Sequence, residues 1–197
     1  MDLVGEMTAG LFGHSRPELV GAVAETAARV GLSLGATTAA EARLARLLCE
    51  RFGLGHVRFT NSGTEANLHA LAAARRHTGR RRVIVFSAAY HGSVLSFGQP
   101  VKEVDGGEVG YAGAENNVDP DCFVVLRYND CHAVRQAFRE HGAQVAAVLV
   151  EGMQGSAGFI PGTYKFLLTI QEECEKVRVL LLLLVPFLTI WRRGLCP

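Results

Sequence analysis

The sequence predicts an α/β fold with a parallel-rich sheet, and three observations carry that expectation. Apolar, β-branched or aromatic runs at 82–86, 122–126, 145–150 and 179–185 alternate with segments of helical spacing. Helix-start signals stand before several of those segments, and three turns of small residues, at 60–66, 90–92 and 151–155, follow strand-like runs. In such sheets the crossovers are right-handed and the working edge lies at the C-terminal ends of the strands.

The elements follow in order. Glu18 to Val30 has alanine and valine at helical spacing behind Ser15-Arg16-Pro17, and Thr38 to Phe52 repeats the pattern with Thr38 as cap and Glu41 at the capping-box position. Val57-Arg58-Phe59-Thr60 alternates like a short strand. Ser62 with Glu65 three residues later is a second capping box, predicting a helix from about Gly63 that closes at His77-Thr78-Gly79. Arg82 to Phe86 reads as a strand, with a turn at its end from Ser87 to Gly92. Residues 93–120 are rich in Gly, Asn and Asp without a period and read as a long, partly irregular excursion. Cys122 to Leu126 is the next strand, Asp130 caps a helix to about Glu140, and Val145 to Val150 is an apolar strand ending at Glu151. A glycine-rich loop, 152–162, leads to a helix from about Tyr164 to Lys176, and Val179 to Val185 is the last strand.

At 197 residues and 49% hydrophobic the chain can bury an ordinary core. A net charge of +1, from 20 basic and 19 acidic residues, gives no electrostatic case for nucleic acid, and Arg80-Arg81-Arg82 reads as the solvated edge of a turn. Five cysteines without a C-x-x-C pair indicate neither a zinc site nor a disulfide framework, which fits a reducing compartment. The opening MDLVGEMTAG lacks the pattern of a secretory or transit peptide, so a cytoplasmic location is expected. The apolar segment VLLLLLVPFLTIW, 179–191, is 13 residues long and broken by Pro186, too short to span hydrocarbon; it is expected to begin as a buried strand.

The turn at Ser62 carries the first chemical expectation. A helix start aims unpaired backbone N–H groups and the positive end of the helix dipole at one point, where Ser62 and Thr64 add hydroxyls. That point suits a phosphate. The same box also closes helices that bind nothing, so the stretch alone leaves both readings open. Tyr90 alone is equally a core aromatic, and Glu151 alone a capping or surface carboxylate.

Together, Thr60-Asn61-Ser62-Gly63-Thr64-Glu65-Ala66, Tyr90-His91-Gly92 and Glu151-Gly152-Met153-Gln154-Gly155 resemble, in this order and spacing, the class III aminotransferases of the fold-type I pyridoxal phosphate family. The similarity is greatest to glutamate-1-semialdehyde 2,1-aminomutases and related transaminases. LFGHSRPELVGAV, GLSLGATTAAEARLARLL and LRYND support it, and it extends over roughly residues 5–178. The resemblance implies part of an aspartate-aminotransferase-like α/β/α large domain over 1–178, without the C-terminal small domain. It implies pyridoxal 5'-phosphate as cofactor, an amino acid or amino ketone substrate, and a homodimer with sites at the interface. Ser62, Gly63 and Thr64 would then form the phosphate cup, Tyr90 would stack on the pyridine, His91 and Gly92 would shape that wall, and Glu151 would lie beside the cofactor. Gly152 replaces the proline usual in the family after that glutamate.

The resemblance also implies two groups that the sequence does not supply where they are expected. Family chemistry uses a lysine that holds the cofactor covalently and moves the proton, and an aspartate on the pyridinium nitrogen so that the ring can accept electrons. Leu184 stands about where the aspartate would be, and the only lysines, Lys102, Lys165 and Lys176, are not in the family's lysine context. Residues 179–197 read as an apolar tail unlike the family, as a frameshift, retained intron or truncated gene model would produce. Two readings follow: an aminotransferase family member inactive as this chain alone, or a non-catalytic fragment or pseudoenzyme that holds phosphate weakly or pairs with a full-length subunit. A nucleotide-binding domain is disfavoured, since neither G-x-G-x-x-G nor G-x-x-x-x-G-K-[ST] occurs.

Overall fold

A proline-led start and a threonine cap produce the first two helices. In the computed structural model, which describes residues 5–6, 9–32, 35–97, 102–103, 109–110, 119–185 and 188–192, α1 spans Pro17–Val30 and α2 spans Ala39–Phe52. Pro17 occupies the first turn of α1, where its missing N–H costs nothing, and Arg16 caps without a side-chain bond. Thr38 Oγ1 accepts the Glu41 amide at 3.2 Å, and Gly53 closes α2 in the left-handed conformation. These helices belong to the first of two units, residues 1–59, the second being 60–197. No residue of either helix is buried. The strand expected at Val57–Thr60 does not form: residues 56–60 have no ladder partner among the described residues. Four alternating residues, one of them Arg58, cannot hold an extended segment in a sheet without a neighbour.

The second unit is an α/β/α arrangement around one sheet. Helix α3 spans Gly63–Thr78, with Ser62 as cap and Gly79 in the left-handed conformation after it. Strand β1 is Arg82–Phe86, β2 is Phe123–Leu126, α4 is Cys131–His141, β3 is Val145–Glu151, α5 is Tyr164–Val177, β4 is Leu180–Val185 and β5 is Leu188–Arg192. The sheet order is β5-β4-β3-β1-β2. Its three pairings from β4 to β2 run parallel, and β5 is antiparallel on β4. The apolar segment thus begins as a strand and continues into β5, while Pro186 and Phe187 lie outside the described residues. Among the described residues no helix is long and apolar enough to cross a membrane.

Alternation along β1 divides the core into two layers. Ile84 and Phe86 pack with Val124 and Leu126 against Ala133, Val134, Ala137 and Phe138 of α4 and Phe166, Ile170 and Cys174 of α5. Val83 and Val85 point the other way, onto Leu71 and Ala74 of α3 with Leu95, Phe97, Leu149 and Leu182. All seven residues of β3 are buried, as a central parallel strand covered on both faces requires. Each large apolar side chain so buried contributes roughly 1.5–3 kcal/mol before entropy is counted.

Within the expected excursion at 93–120, Ser96–Phe97 pairs antiparallel with Ala89–Tyr90, and Lys102–Glu103 pairs with Val109–Gly110. A third short ribbon, Met153–Gln154 with Ile160–Pro161, organises the glycine-rich loop after β3. These ribbons matter because two of them lie at the C-terminal ends of β1 and β3.

Candidate functional site

The helix start at Ser62 is built as its sequence requires, with one difference. Ser62 Oγ accepts the Glu65 amide at 3.2 Å. Glu65 does not return to the Ser62 amide: its Oε2 accepts the Asn61 amide at 2.9 Å and the Asn61 Nδ2 at 3.3 Å, one residue earlier. The Asn61 amide holds the Glu65 carboxyl below the usual carboxylate range. With the Glu65 and Ala66 amides both taken up by Ser62, the Gly63 and Thr64 amides remain as the free donors of the first turn among the described residues. A side chain at Gly63 would meet nothing within 4 Å, so the space before those donors is open.

The Tyr90-His91-Gly92 turn, at the end of β1, is joined directly to this helix start. The Ser93 amide donates to Thr64 Oγ1 at 3.2 Å, and Asn67 Nδ2 donates to the His91 carbonyl at 2.9 Å. Gly92 has φ +109°, and a Cβ there would lie 2.3 Å from Thr64 Oγ1 and 2.7 Å from Thr64 Cα. Only glycine permits both that backbone and that approach. The Thr64 hydroxyl, accepting from Ser93, keeps its own hydrogen to donate.

The three residues of the turn go different ways. Tyr90 is 47% exposed at the end of β1. His91 turns inward and is fully buried, edge-on to Phe97 with ring centroids 6.2 Å apart, and neither ring nitrogen has a hydrogen-bond partner among the described residues. Burial pushes its pKa down to about 3, so the imidazole is neutral. What the His91 position offers the turn is therefore its backbone: its amide donates to the Leu95 carbonyl and its carbonyl accepts from Asn67.

Glu151, the last residue of β3, closes the group. Its Oε2 accepts the Tyr90 amide at 3.2 Å. Burial raises its pKa, opposed by hydrogen bonds from the Tyr90 and Gly155 amides. Gln154 Nε2 donates to the Ser87 carbonyl at 2.9 Å, tying the loop after β3 to the end of β1. Thus Thr64, Gly92, Tyr90 and Glu151 form one connected chain of contacts, with Ser62 and Gly63 at its helical end. Asn67 and Gln154, which complete it, carry no sequence signal: each is one amide side chain whose bond spans more than 20 residues.

Tested against a pyridoxal phosphate group, this arrangement fits at one end. The free Gly63 and Thr64 amides and the Ser62 and Thr64 hydroxyls suit the phosphate, and the Tyr90 ring suits a flat heterocycle. The other requirements are not met by the described residues. Leu184, which stands about where the resemblance puts the aspartate, is the register partner of Glu151 on the neighbouring strand. Lys165 and Lys176 are on α5, which packs on the face of the sheet opposite α3, and Lys176 pairs with Glu173 at 2.7 Å. The side chain of Lys102 lies outside the described residues.

Comparison with known proteins places the chain in a family. The family model for class III aminotransferases matches residues 1–183. The chain is 46% identical over 181 residues to a β-phenylalanine transaminase of Variovorax paradoxus, covering 91% of this chain and 38% of that protein. It is 37% identical over 196 residues to a glutamate-1-semialdehyde 2,1-aminomutase of Nitrosomonas europaea, covering 93% and 42%. A solved glutamate-1-semialdehyde aminomutase variant from Pseudomonas aeruginosa PAO1, in complex with PMP, superposes with a TM-score of 0.78 at 31% identity, covering 92% of this chain and 40% of that one. The chain therefore spans about two fifths of the length of the relatives it matches.

Proposed function

The chain belongs to the class III aminotransferase family, and we propose that its residues 60–155 form the phosphate-and-ring-face portion of that family's cofactor site. Ser62, Gly63 and Thr64 would hold the phosphate of pyridoxal 5'-phosphate, Tyr90 would cover one face of its ring, His91 would set the turn through its backbone, and Glu151 would fix the wall from behind. The observation that carries this reading is the Thr64–Gly92–Ser93 junction, which joins the donor-rich helix start to the aromatic turn at bonding distance.

When bound, the cofactor supplies an electron sink for amino-group transfer. The chain's own contribution is to bind and orient: two amides and two hydroxyls take the phosphate charge, the Tyr90 ring excludes water from one face, and the Glu151 carboxylate holds the Tyr90 backbone. No described residue is placed to move a proton at the reacting carbon, and none neutralises a charged ring nitrogen. We therefore read these 197 residues, taken by themselves, as inactive in amino transfer, with the amino acid or amino ketone substrate, the homodimer and the cytoplasmic setting of the family belonging to the whole protein.

Two measurements test this. Calorimetric titration with inorganic phosphate and with pyridoxamine 5'-phosphate should show saturable binding of both, weakened by Thr64→Val. Borohydride reduction after addition of one equivalent of pyridoxal 5'-phosphate, read by intact mass, should give scattered partial labelling. A single stoichiometric adduct on Lys102, Lys165 or Lys176 would overturn the inactive reading, and absence of saturable binding would overturn the site.

A further inference from the structure

The turn after β2 contains a pair of side chains that the site described above does not use. Tyr128 is half-buried between Phe86 and Phe166, with ring centroids 5.9 and 5.0 Å away in edge-on geometry. Its hydroxyl donates to the Glu151 main-chain carbonyl at 2.7 Å. Asn129, in the left-handed conformation at φ +66°, donates from Nδ2 to the Pro161 carbonyl at 3.0 Å and accepts the Thr163 amide on Oδ1 at 2.8 Å. The two side chains thereby grip both ends of the loop that follows β3. Gly162 closes the grip: its amide donates to the Gly152 carbonyl at 2.9 Å, and a Cβ there would lie 2.8 Å from the Tyr128 hydroxyl and 3.1 Å from the Gly152 carbonyl oxygen.

We infer that Tyr128 and Asn129 are positioning residues for the cofactor wall, an inference that rests on the cofactor reading above. The link runs from the Tyr128 hydroxyl through the Glu151 main chain to the Glu151 carboxylate, and from there to the Tyr90 amide at 3.2 Å. Neither residue touches the helix start at Ser62. Loosening the grip should therefore disturb the Tyr90 wall and leave the phosphate cup intact.

The test compares the wild-type chain with Tyr128→Phe, which keeps the aromatic trio, and Asn129→Gly, which keeps the left-handed backbone. Amide hydrogen exchange is followed by mass spectrometry across residues 87–93, 145–150 and 151–163. Loss of one hydrogen bond's contribution predicts exchange about fivefold faster at 87–93 and 151–163 with 145–150 unchanged. Unchanged exchange at 87–93, or equal acceleration in the β3 core, would overturn the inference. In parallel, the Kd for pyridoxamine 5'-phosphate should rise about fivefold in both variants while that for inorganic phosphate stays put. Equal weakening of both ligands would also overturn it. A wild-type chain that binds neither ligand would remove the cofactor reading, and the exchange pattern would still decide the positioning role.

Discussion

Replacing Gly92 by alanine is the sharpest perturbation of the site, because the structure gives both of its costs separately. At φ +109° an alanine is strained by about 1–2 kcal/mol. Its Cβ would also stand 2.7 Å from Thr64 Cα and 2.8 Å from Thr64 Cβ, atoms that no rotamer change can move. Carbon atoms settle at about 3.5–4.0 Å, so turn and helix must part by roughly 1 Å. That displacement breaks the Ser93 to Thr64 bond of 3.2 Å and stretches the Asn67 to His91 bond of 2.9 Å, each contributing about 1 kcal/mol. The expected loss is about 3–5 kcal/mol, a large part of a typical domain's stability.

Two further glycines separate the causes. Gly79 has φ +67° with nothing within 4 Å of a built Cβ, so Gly79→Ala isolates strain at about 1 kcal/mol. Gly63 has neither positive φ nor a neighbour, and Gly63→Ala should change stability by less than about 1 kcal/mol in either direction. Urea melts of the three variants at one pH, with m-values compared, give the ranking directly. If Gly92→Ala costs no more than Gly79→Ala, the close approach of the turn to Thr64 is wrong, and with it the joined site.

The remaining predictions concern charge and capping. His91, neutral and buried with its pKa down to about 3, takes up no proton in the folded chain while the unfolded chain does so below about 6.5; stability should therefore fall by about 1.4 kcal/mol per pH unit through that window. Glu151, whose pKa is raised, acts in the opposite sense, so the quantity to measure is the difference in urea midpoint between wild type and His91→Leu at pH 6.5 and pH 5; equal pH dependence in the two would refute the assignment. Ser62→Ala removes the cap accepting from Glu65 and should cost about 1 kcal/mol by the same melts, while also weakening inorganic phosphate by calorimetry; a stability loss with phosphate affinity unchanged would take Ser62 out of the cup.

What could be read in the sequence was what short-range chemistry decides. Thr38, Ser62 and Asp130 were legible as caps because each bonds an amide two or three residues on, and all three helices begin where those residues place them. Strands β1 to β4 were legible as apolar runs because burial on both faces leaves little room for polar residues, whereas β5, an edge strand ending in Arg192, was not read. Val57–Thr60 misled because a four-residue alternation says nothing about whether a partner exists. The short ribbons at 89–97 and 153–161 had no signature, since two paired residues cannot establish a period. Tyr128 and Asn129 stood in plain view within LRYND, yet their bonds reach 23 and 32 residues ahead, a distance no local pattern encodes.

The division of the site into a part that fits and a part that does not follows from how the fold distributes its groups. The proposed phosphate end would depend on main-chain amides and a helix dipole, and the Ser62 cap with Gly63 before open space supplies that arrangement here. The ring-nitrogen end, as the resemblance implies it, would depend on one side chain near the end of one strand. Leu184 lies in register with Glu151 on the neighbouring parallel strand, so the sheet itself delivers that position to the working edge, and the residue delivered there is apolar. On the proposed reading, the ring-nitrogen end would need a carboxylate brought from elsewhere, whereas the phosphate end at α3 would draw on amides and hydroxyls already in place.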